Sequence, residues 1–125
     1  LKKTESFIRN RRKLVSIYTK ELSSTELVLP KENNKDTHVF HLFTVLHPKR
    51  EKIIHHLLKR GVQTRIIYPY PIHNMKAYQK IILNKSRLKK SVEKSKQIFC
   101  LPLYPELSVN EVRYICKNLK EILKK

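Results

Sequence analysis

Gly61 is the only glycine in this chain of 125 residues, and that scarcity limits what the backbone can do. The phosphate-cradling turns of dinucleotide-binding folds and P-loops need several glycines, because backbone N–H groups must approach the anion closely. A nucleotide site built that way is excluded. The single glycine also has an evident local role. It follows an apolar stripe of Ile53, Ile54, Leu57 and Leu58 opened by Pro48, where it can close a helix in the left-handed conformation.

The remaining elements follow from periodicity. Phe7, Ile8, Leu14, Val15, Tyr18 and Leu22 fall at a spacing near 3.6, which predicts an amphipathic helix from Lys2 to about Leu22 with Arg9, Arg11, Lys13 and Lys20 opposite. Val39 to Leu46, β-branched and aromatic on both faces, predicts a buried strand, and Val62 to Tyr68 a second one. A short helix near Met75 to Leu83, a lysine-rich helix from Leu88 to Ile98 and an extended piece at Phe99 to Leu101 follow. Ser108 and Glu111 then form a capping box ahead of Val112, Ile115, Cys116, Leu119, Ile122 and Leu123. This order predicts one α+β domain over residues 1–125, a small sheet covered by helices.

Lys and Arg number 28 against 10 Asp and Glu, a formal net charge of +18. Such an excess favours anionic partners, and a basic RNA- or polyanion-binding module is one reading; solvated helix faces or coding bias are the plainer ones. Against RNA, the cations spread over at least three predicted helices and no aromatic-rich strand offers a stacking platform. A third reading is a partner protein that uses an exposed former domain interface. Asp36 is the only aspartate and sits in a polar loop, so a Ser-His-Asp arrangement has little to draw on. His38 and His41 face opposite sides of a strand, and His55 and His56 diverge on a helix, so neither pair chelates a metal. Cys100 and Cys116 lie in core-facing segments without metal or redox spacing, which suggests a reducing compartment. No membrane span or secretory signal is expected, which gives a cytoplasmic expectation, and the absent initiator Met suggests part of a longer polypeptide.

Three stretches carry a resemblance: "IRNRRKLVSIYTKEL", "HVFHLFTVLHPKREKIIHHLLKRGVQTRIIYPYPIH" and "CLPLYPELSVNEVRYI". With Arg11-Arg12 followed by Tyr18, the helix-ending Arg60-Gly61, the turn from Tyr68 to His73 and "LPLYPEL", the chain resembles the carboxy-terminal part of the DegT/DnrJ/EryC1/StrS family of pyridoxal-phosphate-dependent sugar aminotransferases. The resemblance implies the small domain of a fold-type I aminotransferase, with a mainly antiparallel sheet of about three strands. It implies homodimers that move an amino group, usually from glutamate, onto a nucleotide-linked keto sugar in cell-surface polysaccharide or related biosynthesis.

The same resemblance makes Tyr68, His73 and Tyr78 the candidate substrate contacts, on a turn that Pro69 and Pro71 stiffen. Tyr68 and His73 are expected to point outward to a common concave edge, with Ile66, Ile81, Ile82 and Leu83 packed inward. Many relatives carry a histidine where this chain has Ile67. In the family a large domain supplies the Schiff-base lysine, the acidic partner of the pyridinium nitrogen and the phosphate cup. This chain has no lysine in that context, so no catalytic residue is assigned to it. No bound pyridoxal phosphate is expected without a large-domain partner.

Overall fold

Leu14, Val15, Tyr18 and Leu22 recur at helical steps, and helix α1 (Thr4–Leu22) buries all four. The computed structural model describes residues 2–32, 38–78 and 88–124. Strand β1 (Phe43–Leu46) follows, then α2 (Arg50–Lys59), two 3-10 turns (Ile72–Asn74 and Lys76–Tyr78), α3 (Lys89–Ser95), β2 (Ile98–Leu101) and α4 (Val109–Leu123). Helices α1 and α4 pack on each other, and α2 packs on α4. The core they share with the sheet includes Phe43, Val45, Phe99, Val112 and Leu119. The Tyr18 ring stacks on Phe43 with centroids 4.8 Å apart, while its hydroxyl donates to the Pro102 carbonyl at 2.9 Å. A buried phenol thus keeps a polar partner.

The fold is α+β, as the element order indicates, but its sheet is smaller than three strands. β1 and β2 pair antiparallel, with Phe43 opposite Leu101 and Leu46 opposite Ile98. Val28 bridges the outer edge of β1 and Arg65 the outer edge of β2, each by a single pair. The strand expected from Val62 to Tyr68 is therefore one bridge at Arg65. Its register explains one limit: pairing beyond Cys100 would next need an N–H from Pro102, which has none.

The strand expected from Val39 begins only at Phe43. Phe40 interrupts it with φ of 47°, a left-handed conformation disfavoured for a residue with a Cβ. Long-range contacts hold it there. Arg11 donates through Nη1 to the carbonyls of Phe40 (3.1 Å), His41 (2.9 Å) and Leu103 (3.2 Å), and the Phe40 N–H donates to His38 Nδ1 at 2.8 Å. Arg12 pairs with Glu32 at 2.6 Å. The paired arginines thus fasten α1 to the segments on either side of residues 33–37, which lie outside the described residues along with Asp36.

Gly61 takes φ of 74° and closes α2 as expected. Gly61 N–H donates to Leu58 O (3.0 Å) and Val62 N–H to Leu57 O (2.9 Å), the doubled pattern of a Schellman motif, with Leu57 and Val62 both in the core. The capping box of α4 is also present: Glu111 N–H donates to Ser108 Oγ at 3.2 Å and Ser108 N–H to Glu111 Oε2 at 2.8 Å. Of the helix expected near Met75 to Leu83, the described part is the 3-10 turn Lys76–Tyr78. Ile81, Ile82 and Leu83 lie outside the described residues.

Candidate functional site

Arg65 positions the segment that leads into the aromatic turn. Its N–H donates to Cys100 O (3.2 Å), and its carbonyl accepts from Cys100 N–H (2.7 Å), so the chain is pinned to the edge of β2 just before it turns away. The Ile67–Tyr68 peptide bond is cis. Beyond Pro71, three backbone bonds shape the rest: Asn74 N–H to Pro71 O (2.9 Å), Met75 N–H to Ile72 O (3.0 Å) and Tyr78 N–H to Met75 O (2.9 Å).

The three candidate contacts end at different depths. Tyr68 is 74% exposed, in line with an outward-pointing lip residue, and Tyr78 is 45% exposed. His73 is only 5% exposed, against the expectation that it faces outward with Tyr68. The 3-10 turn Ile72–Asn74 buries its middle residue while leaving Ile72 in solvent. Among the described residues, His73 Nε2 is buried without a hydrogen-bond partner, as is Thr64 Oγ1. Partnerless buried polar atoms are few in folded proteins, so each calls for a bonding group from outside the described chain or an ordered water.

Beside the turn lies a cavity of about 630 Å³. Gly61, Val62, Gln63, Arg65 and Ile67 form one wall, residues 100–104 the floor, and Glu111, Tyr114 and Ile115 of α4 the far side. Tyr68, His73 and Tyr78 do not line it. Tyr104 and Tyr114, neither of them among the candidate contacts expected from the sequence, both line the cavity and both are about half exposed. Tyr114 sits off the apolar stripe of its helix, a signal available in the sequence, and its hydroxyl donates to Arg60 O at 3.0 Å. Among the described residues, no three His, Cys, Asp or Glu side chains group as metal ligands, and no helix is long and apolar enough to cross a membrane.

The sequence pattern of the DegT/DnrJ/EryC1/StrS aminotransferase family matches residues 1–120. The pleiotropic regulatory protein of Geobacillus stearothermophilus is 30% identical over 114 residues, which are 89% of this chain and 31% of that protein. The dTDP-3-amino-3,4,6-trideoxy-alpha-D-glucose transaminase of Micromonospora megalomicea subsp. nigra is 26% identical over 98% of this chain and 34% of its own length. The crystal structure of S. venezuelae DesV in complex with a ketimine intermediate superposes with a TM-score of 0.89 at 27% identity, covering 97% of this chain and 33% of DesV. The chain spans about a third of the length of the relatives it matches.

Proposed function

This chain belongs to the DegT/DnrJ/EryC1/StrS aminotransferase family, and from that premise we propose that it is the carboxy-terminal small domain of a pyridoxal-phosphate-dependent nucleotide-sugar aminotransferase. By itself it is catalytically incomplete. One observation carries the reading: almost the whole chain superposes on a third of an aminotransferase, with a TM-score of 0.89. The missing two-thirds is then the cofactor-binding part, in the same polypeptide or another chain, and the complete enzyme works as a homodimer on a keto sugar carried by a nucleotide diphosphate.

The chain's own residues do not fit the cofactor. A pyridoxal aldehyde needs a lysine amine inside its cavity, and among the described residues no lysine lines the 630 Å³ space. The small hollow that Lys49 and Lys52 do line is about 30 Å³, the scale of one water molecule. What the chain contributes is binding and orientation. Tyr68 projects into solvent with an apolar face and a hydroxyl for the sugar, Tyr78 is a second partly exposed candidate contact, and His73 Nε2 offers its free bonding capacity to a group brought by the rest of the enzyme or the substrate.

The test is complementation. The 125-residue chain with pyridoxal phosphate should give no stoichiometric aldimine absorbance and no turnover; fused to the remaining part of a relative, it should restore amination of a nucleotide-linked keto sugar. Tyr68→Ala and His73→Ala should then lower amination more than they lower the melting temperature. A stoichiometric aldimine at one lysine of this chain, abolished by a single Lys→Ala change, would overturn the reading.

A further inference from the structure

Helix α4 sorts its exposed charges by edge. Tyr114 and Glu121 face α2, where Arg60 donates to Glu121 Oε2 at 3.0 Å and accepts from Tyr114 through its carbonyl. On the other edge Arg113, Lys117, Lys120 and Lys124 recur at steps of four, three and four residues. At 3.6 residues per turn they fall in a stripe about 60° wide. This edge meets α1, where Lys120 donates to Glu21 Oε2. Glu21 feels Arg113 and Lys20 as well, and its carboxyl is held below the ordinary carboxylate range first by the Lys120 hydrogen bond. A cation at a helix C-terminus complements the backbone dipole, which accounts for Lys120 and Lys124. It does not account for Arg113 and Lys117, which lie well before the last turn.

We propose that the stripe of Arg113, Lys117, Lys120 and Lys124, extended across the seam by Lys20, is a docking track for the phosphate backbone of a single-stranded nucleic acid. Successive cations stand about 6, 4.5 and 6 Å apart along the helix axis, a one-dimensional array that a flexible strand can follow with its phosphates. A membrane surface fits worse. Helices that lie on lipid insert an apolar face, and the apolar face of α4, with Val112, Ile115 and Leu119, is buried in the core. The stripe itself holds no aromatic side chain for stacking bases and no Asn or Gln for reading their edges. Its binding is therefore electrostatic, steep in salt and indifferent to sequence.

The experiment is fluorescence anisotropy of a labelled oligodeoxythymidine titrated with the 125-residue chain. With Lys120 held on Glu21, phosphate contacts from Lys20, Arg113, Lys117 and Lys124 predict about 50-fold weakening between about 50 and 200 mM salt on a single strand. The triple variant Arg113→Gln/Lys117→Gln/Lys124→Gln leaves Lys20 as the one remaining contact, with Lys120 still on Glu21, and should reduce that dependence to about 3-fold, with weaker binding at low salt. Lys89→Gln/Lys90→Gln/Lys96→Gln, which removes the same net charge from α3 and its end, should leave the slope in place. Glu21→Gln, which removes the carboxylate from the seam, should tighten binding. Equal losses in the two triple variants would overturn the proposal in favour of diffuse charge. So would no binding at about 50 mM salt, a preference for one base sequence, or stripe-dependent binding to phosphatidylserine vesicles tighter than to the oligonucleotide.

Discussion

Arg11 joins three loop carbonyls through one guanidinium nitrogen, which donates to all of them. Those of Phe40, His41 and Leu103 come from segments 29 to 92 residues away in sequence. Hydrogen bonds from a charged donor are each worth about 1.5–3 kcal/mol and are not additive, so Arg11→Ala should cost about 3 kcal/mol in urea unfolding. Arg11→Lys should recover only part, since an ammonium lacks the planar fork. A loss below about 0.5 kcal/mol, the range of ordinary surface substitutions, would mean the staple does not hold Phe40. Gly61 presents the opposite case, a residue whose importance is conformational. An added Cβ there meets nothing within 4 Å, so Gly61→Ala should cost only the left-handed penalty of about 1–2 kcal/mol, and Gly61→Asn less. Equal costs for Ala and Asn would show that something other than φ is at work. The two residues also differ in how legible they were. Gly61 acts on the helix just before it, so its role could be read from neighbouring letters, whereas the left-handed φ of Phe40 depends on an arginine 29 positions earlier and leaves no local trace.

At the level of elements, α4 holds the most local information and is the most exposed to a simple test. Its capping box satisfies N–H groups at a helix start, and Ser108→Ala should lower stability by about 1 kcal/mol. The Glu111 carboxyl is held below its ordinary 4.5, first by its hydrogen bonding with the Ser108 side chain and then with its backbone. A depressed folded value means that the contribution is present above 4.5 and lost as pH falls through the folded value. Melting temperature should therefore drop as pH is lowered below 4.5, and Glu111→Gln should flatten that drop; an unchanged acid limb in the variant would remove Glu111 as its cause. Helices α1, α2 and α4 were legible because their signals, stripe, cap and glycine, lie within one helical stretch. The sheet was not, since β-branched residues at 62–68 specify extension but not a partner. On one side of the Arg65 bridge the pairing is stopped by Pro102, far along the chain. The same division holds in the candidate site. The proline-rich turn and exposed Tyr68 were readable, but the burial of His73 arises from a 3-10 turn that no periodicity announces.

For the molecule as a whole, the two cysteines report how cooperatively these pieces hold together. Cys100 lies in β2 against the cavity floor and Cys116 in α4 against α1, both buried and free. Burial, reinforced by the Glu21 carboxylate, pushes the Cys116 thiol up to about 12, so at neutral pH almost none of it is the reactive thiolate. Modification then requires both exposure and deprotonation, and the two sites sit on opposite layers of one core. If sheet and helices open as a unit, both thiols should react with a disulfide reagent at a common slow rate. That rate should rise with urea along the slope of global unfolding. Single variants Cys100→Ser and Cys116→Ser assign each rate. Rapid modification of Cys100 alone without urea would show that the 61–67 wall separates from β2 independently of the core, because among the described residues the Arg65 bridge is the one backbone pairing between that wall and β2. The cavity would then belong to a moving edge, and the exposed Tyr68, three residues beyond that bridge, would move with it.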